Sequence, residues 1–249
     1  MAAAKAANKK GNEVAPTTTA TPARLQLYEA TQRPKARQNS WITTTWGKCK
    51  VSGVLGQRHA DLVESVLFCA EKKWDLPDGG AEVMVDPAKI RRCMSDGQYS
   101  LSQIRKLFAE LRAATIEIMA HDLHCIGGLI DHVVISESRA NPLGGERFLW
   151  RVRLGLPMVY LLKNDVPIYY NPAPIARLNY GISQALVRHV LSHQTEPRGG
   201  WKLNELIVAV AGEQTADELK NRRREIRSDT TIMECTGIVV DGDRVFKSR

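Results

Sequence analysis

No stretch of this chain holds 18 consecutive uncharged apolar residues, so no segment is long enough to cross a bilayer as a helix. The opening residues, MAAAKAANKKGNEVAP, place lysines where a secretory leader needs an unbroken apolar run, which argues against export. Cysteine is sparse and odd in number: Cys49, Cys69, Cys93, Cys125 and Cys235 are scattered, with no Cys-x-x-Cys pair. That pattern argues against a disulfide framework and a zinc ribbon, and fits a reducing, cytoplasmic setting.

Motifs of the common chemistries are missing too. There is no Gly-x-x-x-x-Gly-Lys-Ser/Thr phosphate loop and no Gly-x-Ser-x-Gly nucleophile elbow. Tyr169-Tyr170 has no His-x-His metal motif to accompany it, as a rolling-circle nicking enzyme would need. His121 and His124 beside Cys125 lack a second cysteine, so HDLHC reads as a turn with surface histidines. His189 and His193 lie one helical turn apart without the Glu of a zincin, and read as core-edge packing. The expectation is a binding protein with no catalytic residue, metal or cofactor.

What is present is positive charge on an ordinary globular composition. Over 249 residues the chain is 43% hydrophobic and 25% charged, with net charge +8 and a pI near 9.3. Such a balance favours a polyanionic partner, and nucleic acid is the usual one for a chain without lipid-facing features. Residues 1–40 are rich in Ala, Thr, Pro and Lys, with basic residues Lys5, Lys9, Lys10, Arg24, Arg33, Lys35 and Arg37 against Glu13 and Glu29. They read as a disordered basic N-terminal arm; its deletion is expected to leave the fold intact.

From Trp41 the pattern is α+β. Leu62, Val63, Val66, Leu67 and Ala70 have helical spacing and predict a helix from about Gln57 to Lys73. AEVMV predicts a short strand, and Asp86-Pro87 opens a helix through Met94. Ser100 or Ser102 caps a third helix, LSQIRKLFAELRAA. The period then falls to two in TIEIMA, GLIDHVVISES and ERFLWRVRLG, with SRANPLGG as the tip of a hairpin. Residues 156–180 read as a proline-rich connector, with a helix at MVYLLK and a strand at VPIYY.

After the connector the element order returns. GISQALVRHVLSHQ is a helix, GWKL a strand, NELIVAVAG a helix capped by Asn204, and TADELKNRRREIRS a helix opened by a Thr215–Glu218 capping box. TIMEC and GIVVDGDRVFK close the chain with a hairpin, where Asp241-Gly242 suits a type I′ turn. The repetition is one of order, not of obvious sequence. It predicts two tandem winged-helix domains (helix-turn-helix plus β-hairpin wing) at residues 41–155 and 181–249.

LKNRRREIR packs five basic side chains into nine positions, Leu219 to Arg227. On a wheel of 100° per residue, Leu219 and Ile226 form the core side, with Ala216 and the stem of Arg223 beside them. Lys220, Arg224 and Arg227 gather on one flank, Asn221 sits near the exposed centre, and Glu218 and Glu225 take the other flank. A solvated face would mix signs, and a disordered run would lack the Leu219/Ile226 spacing. Asn221 and Arg224 are therefore candidates for base edges, and Lys220 and Arg227 for phosphates. Arg222 and Arg223, nearer the core edge, reach phosphate only by snorkelling. In the first half Ile104, Leu107, Phe108 and Leu111 form the core stripe, leaving Ser102, Arg105, Lys106 and Arg112 as a milder basic face. That half serves as a second reader or as a dimerisation unit. The wing candidates are Arg139 with Asn141, and Arg244 with Lys247.

The segment from Ala176 to Ile232 resembles the Rep family of plasmid replication initiators, nearest the RepC/TrfA type. The likeness rests on Leu178–Arg188, Trp201–Leu203, Asn204–Gly212 and Thr215–Ser228. It implies a double-stranded DNA partner with origin repeats (iterons), melting of nearby DNA, recruitment of a replicative helicase, and exchange between a dimer that represses and a monomer that initiates. Two other classes stay open: a winged-helix transcriptional repressor on an inverted repeat, and an interaction protein with no DNA role.

Overall fold

The computed structural model describes residues 15–24, 26–38, 41–44, 46–95, 99–120, 123–140 and 146–248, with the backbone alone for 37–38, 95, 136–140 and 146–147. In chain order the elements are β1 (Thr18–Thr19), α1 (Ala20–Arg24), β2 (Arg37–Gln38), β3 (Ile42–Thr43), β4 (Gly47–Gly53), α2 (Gln57–Phe68), β5 (Lys72–Asp75), β6 (Ala81–Val85), α3 (Pro87–Ser95) and α4 (Leu101–Ala113). Then come β7 (Thr115–Ala120), β8 (His124–Gly127), β9 (Ile130–Ala140), β10 (Glu146–Leu154), α5 (Leu156–Asn164), β11 (Pro167–Ile168) and α6 (Ala173–Ala176). The chain ends with α7 (Gly181–Ser192), β12 (Trp201–Lys202), α8 (Leu203–Ala211), α9 (Ala216–Ser228), α10 (Thr230–Glu234), β13 (Ile238–Asp241) and β14 (Arg244–Lys247). The architecture is α+β, with small antiparallel sheets.

Two cores divide the molecule. The first joins α2 to α5 with two sheets, ordered β5-β6-β10-β9 and β2-β4-β7-β8, the latter with β3 also on β4. A second core gathers Leu178, Ile182, Leu186, Leu203, Ile207, Ile226, Met233 and Val245 under a three-stranded sheet ordered β12-β14-β13. Each half thus pairs the strand between its first two helices with the far strand of its hairpin: β6 with β10, β12 with β14. The proline-rich connector is shared out. Met158, Val159 and Leu161 of α5 pack in the first core, Ile175 and Leu178 in the second.

Residue repetition accompanies repeated order once the helices are superposed by role. α2 reads Leu62-Val63-Glu64-Ser65-Val66-Leu67 where α7 reads Leu186-Val187-Arg188-His189-Val190-Leu191. The matching Glu64 and Arg188 meet. Arg188 Nε and Nη2 donate to the two Glu64 oxygens at 2.9 Å each, Nη2 also reaches Asp61 Oδ1 at 2.6 Å, and Nη1 reaches Gln57 Oε1 at 2.7 Å. Tyr170 donates to Glu64 at 2.6 Å and Gln184 to Asp61 at 3.2 Å. All of these polar residues except Tyr170 are less than 4% exposed. Burial lifts the Asp61 carboxyl to about 6, even with Arg188 drawing it down. α2 is therefore buried on its polar side too, which its apolar stripe alone does not disclose.

The disordered-arm expectation fails for residues 15–38. β1 pairs with β11 (Thr18 with Ile168), Arg24 donates to Ser192 Oγ at 2.9 Å, and Thr21 N donates to Asp165 at 2.6 Å. Ala15, Leu27 and Tyr28 join the first core and Ala30 the second, so the segment straps the halves together. Small residues suit a narrow seam: a Cβ on Gly181 would lie 2.4 Å from Thr31 Cα. Residues 1–14 lie outside the described region.

Other boundaries also move. The first helix ends at Phe68 instead of Lys73, because Lys72–Asp75 form β5 on the edge of β6. TIEIMA pairs with β4 and β8, in the sheet apart from the β9–β10 hairpin. Lys202, not Asn204, precedes α8, and TIMEC lies in α10 and the turn after it. In the last hairpin Asp241 pairs with Arg244, leaving Gly242-Asp243 as the loop, and only Gly242 (φ 56°) has positive φ. A type I′ turn needs two such residues; here glycine alone leads, as in the II′ family.

His189 and His193 sit where α1, α7 and β14 meet. Their Nε2 atoms are 3.2 Å apart, and the His193 ring lies 6.0 Å from that of Trp201, tilted by 51°. Burial first, then His193 and Arg24, push His189 down to about 4. The unfolded chain takes up this proton near pH 6.5 and the folded chain only near 4, so stability falls as pH drops through that window. The His189→Gln variant is expected to lose this acid sensitivity, about 3 kcal/mol of difference from the parent between pH 7 and 4. Urea midpoints across that range for the two proteins check it; parallel profiles refute it. Asp61 works in the opposite direction in both proteins, so the difference isolates His189.

Candidate nucleic-acid interface

The site is built on α9. Its start is fixed by reciprocal capping: Thr215 Oγ1 accepts from Glu218 N at 3.3 Å, and Glu218 Oε2 accepts from Thr215 N at 2.8 Å. The Thr215 N–H, and after it the Thr215 hydroxyl donating to the same Oε2, hold the Glu218 carboxyl below its ordinary value. Ile226 is fully buried and Leu219 packs at the margin of the second core, so one side of the helix is anchored. The far end is held by Asp229, whose buried carboxylate accepts from Asn179 N, Asn179 Nδ2 and Tyr180 N at 3.2, 2.8 and 3.1 Å. Sequence reasoning passed over Asp229; its only local signal is an acidic residue just past a basic helix.

The opposite side is cationic. Lys220, Asn221, Arg224 and Arg227 are exposed, and with Ser228 they line one open hollow of about 410 Å³. Among the described residues, the side chains of Lys220, Asn221 and Arg224 have no hydrogen-bond or ion-pair partner. Arg227 pairs with Asp243 of the β13–β14 turn at 3.3 Å, which ties the helix to its hairpin. Arg222 turns the other way: it pairs with Glu225 at 3.1 Å and borders a hollow with Gln26, Glu29 and Thr31. Arg223 is half-buried, its Nε without a partner among the described residues. Ala216 is exposed, so it takes no part in the core side. Compared with known protein families, curated sequences and solved structures, the chain matches none.

α4 is the counterpart of α9. Both run 13 residues, and both open on a capping box, here Ser100 with Gln103. Laid cap on cap, Ile104 falls on Leu219, Leu111 on Ile226, Arg105 on Lys220, Lys106 on Asn221 and Arg112 on Arg227. Ile104, Leu107, Phe108 and Leu111 are buried, and Phe108 meets Trp150 edge to face at 6.1 Å. His59 links α2 to this helix, its Nε2 3.0 Å from Glu110. Arg105 and Arg112 are exposed; Lys106 is exposed and 3.9 Å from Glu110, and Ser102 Oγ bonds Ser100 Oγ at 2.8 Å. Arg112 lies at the helix end, beside a hollow it shares with Asp78, Asp131 and Arg153.

The wing candidates divide. Arg244 is exposed and donates to Gly200 O at 3.4 Å. Lys247 folds back: Nζ donates to His193 O and lies 6.0 Å over the Trp201 ring, and burial lowers its pKa. It serves the seam between α7 and β14, so it is not a free cation at the wing tip. The side chain of Arg139, and Asn141 altogether, lie outside the described region. His121 does also, while His124 pairs with Glu117 at 2.9 Å and Cys125 is buried. No group of three or more potential metal ligands occurs among the described residues, and no helix there is long and apolar enough to cross a membrane.

Proposed function

We propose that this chain is a sequence-specific double-stranded DNA-binding protein of two tandem winged helices, a cytoplasmic plasmid replication initiator that binds repeats at its origin. The carrying observation is the split of α9: Ile226 is buried, while Lys220, Asn221, Arg224 and Arg227 share one exposed hollow. A helix held at both ends that presents a guanidinium, an amide and an ammonium to solvent has the donors that guanine O6/N7, adenine and phosphate require. The cap-on-cap match of α4 to α9 supports a second reading helix, and hence two reading units in one chain. The protein acts by binding, without catalysis; helicase recruitment belongs to the same reading.

Selection of bound duplexes from a random pool tests this directly. Recovered direct repeats of about 17 to 22 base pairs, near two helical turns, support the initiator; a single inverted repeat supports a repressor. The Arg224→Ala variant is expected to lose about 1–3 kcal/mol on the selected site and to relax its preference at one position. Anisotropy titrations on cognate and random duplexes measure both. An equal loss on the two duplexes makes Arg224 a phosphate contact, and the absence of salt-dependent binding to any duplex ends the DNA reading.

A further inference from the structure

Lys220, Arg224 and Arg227 line the hollow on α9, and one of these cations carries an acid with it. Lys220 and Arg224 have no ion-pair partner among the described residues, whereas Arg227 Nη2 lies 3.3 Å from Asp243 Oδ1. On α9 itself Glu218 is held by the Thr215 cap and Glu225 by Arg222. Asp243 comes from a different element, the Gly242-Asp243 loop between β13 and β14. Leu203 N, at the start of α8, donates to Asp243 O at 2.9 Å, and the adjoining Arg244 donates to Gly200 O at 3.4 Å. The loop is thus clasped through the Asp243 carbonyl and through the next side chain. That anchorage keeps the carboxylate beside the cationic side of α9.

We propose that Asp243 is a built-in competitor for the DNA phosphate at Arg227, setting how tightly any duplex is held without setting sequence preference. The inference rests on the DNA-binding reading of α9. The ion pair is a single contact between side chains 55% and 68% exposed, so the bridge itself contributes little and yields to a phosphate. The carboxylate stays nearby when the bridge opens. A phosphate oxygen hydrogen-bonded to the same guanidinium stands roughly 6–8 Å from it, inside the Debye length of about 10 Å at 0.1 M salt. The two anions therefore repel with little screening, and one guanidinium serves both. Among the described residues Asp243 has no ion pair with Arg224 and no hydrogen bond with Asn221, the side chains assigned to base edges. The competition accordingly acts on the grip of the backbone alone.

The test compares Asp243→Asn with the parent in anisotropy titrations across salt, on the selected duplex and on a random one. Asparagine keeps the turn-forming character of aspartate and removes only the charge. The variant is expected to bind both duplexes about three- to fivefold more tightly at 0.1 M salt, with their ratio unchanged. Its log–log salt slope should steepen by about 0.9, the value for one further phosphate neutralised. In an Arg227→Ala background the same substitution should give no more than Asp241→Asn gives, an exposed acid of the same hairpin with no ion pair to α9 among the described residues. That cycle isolates the coupling between Asp243 and Arg227. Unchanged or weaker binding by Asp243→Asn overturns the proposal, as does a gain on one duplex only. An equal gain in the Arg227→Ala background, or from Asp241→Asn in the parent, overturns it too. A parent without salt-dependent binding to any duplex ends the DNA reading and this inference together; a parent that binds, with Asp243→Asn no different, ends the inference alone.

Discussion

Arg188→Ala is expected to cost about 3–5 kcal/mol of unfolding free energy, the range for removing one partner of a buried ion pair. The substitution strands Asp61 and Glu64 in a seam where both are less than 4% exposed. It also orphans Gln57 Oε1, so four hydrogen bonds to three side chains disappear together. Much of that cost is the penalty of the unpaired carboxylates, not the intrinsic worth of the bridge. A variant combining Asp61→Asn, Glu64→Gln and Arg188→Met should therefore recover a large part of the loss. Urea unfolding of the parent, the single variant and the combination measures both terms. A single-variant cost below about 1 kcal/mol, the size of a surface pair, would mean that the seam is wet. Since Glu64 and Arg188 occupy matching positions on α2 and α7, the network also fixes how the two halves meet. On the proposed DNA-binding reading, Arg188→Ala should accordingly reduce binding to a two-site duplex more than to a single half-site.

Deletion of residues 1–38 is expected to destabilise the fold by about 5 kcal/mol or more. Leu27 and Tyr28 are 2% and 6% exposed, and full burial of such side chains contributes about 1.5–3 kcal/mol each. Ala15, Ala20 and Ala30 add smaller amounts, and the hydrogen bonds from Arg24, Thr21 and Gln32 to the body go with them. A loss of this size approaches the whole stability of an ordinary domain. Thermal melts followed by circular dichroism should show a collapsed or absent cooperative transition for the shortened chain. An unchanged melting temperature would restore the reading of these residues as a loose arm. The sequence expectation and the structure make opposite forecasts here, so one experiment decides between them.

The reason for that conflict is physical. Among the described residues of segment 15–38 only two large apolar side chains are buried, Leu27 and Tyr28, so neither periodicity nor hydropathy marks it. Their order comes from backbone pairing with β11 and from the close approach of Thr31 and Pro34 to Gly56 and of Thr31 to Gly181. Such fits exist only once distant segments are in place. The same holds for Asp61, Glu64 and Arg188: on a wheel they look like the wet side of two helices, and only docking of α2 on α7 buries them. Lys247 follows this pattern, since its partners His193 and Trp201 are far away in sequence.

What the amino-acid order determined by itself was local. The capping box at Thr215, a serine cap at Ser100 or Ser102, the core stripe of α4, the Leu219/Ile226 anchor of α9 and the separation of its cationic flank from Arg222 and Arg223 all arise within one or two helical turns. Helical geometry converts such spacing directly into sides. Tertiary structure decided the rest: which strands share a sheet, that a polar-looking segment is a strap, and that the two halves lock through a buried charge network. Those features depend on contacts between residues distant in the chain, such as Val85 with Trp150, Thr18 with Ile168 and Glu64 with Arg188, and no local period encodes them.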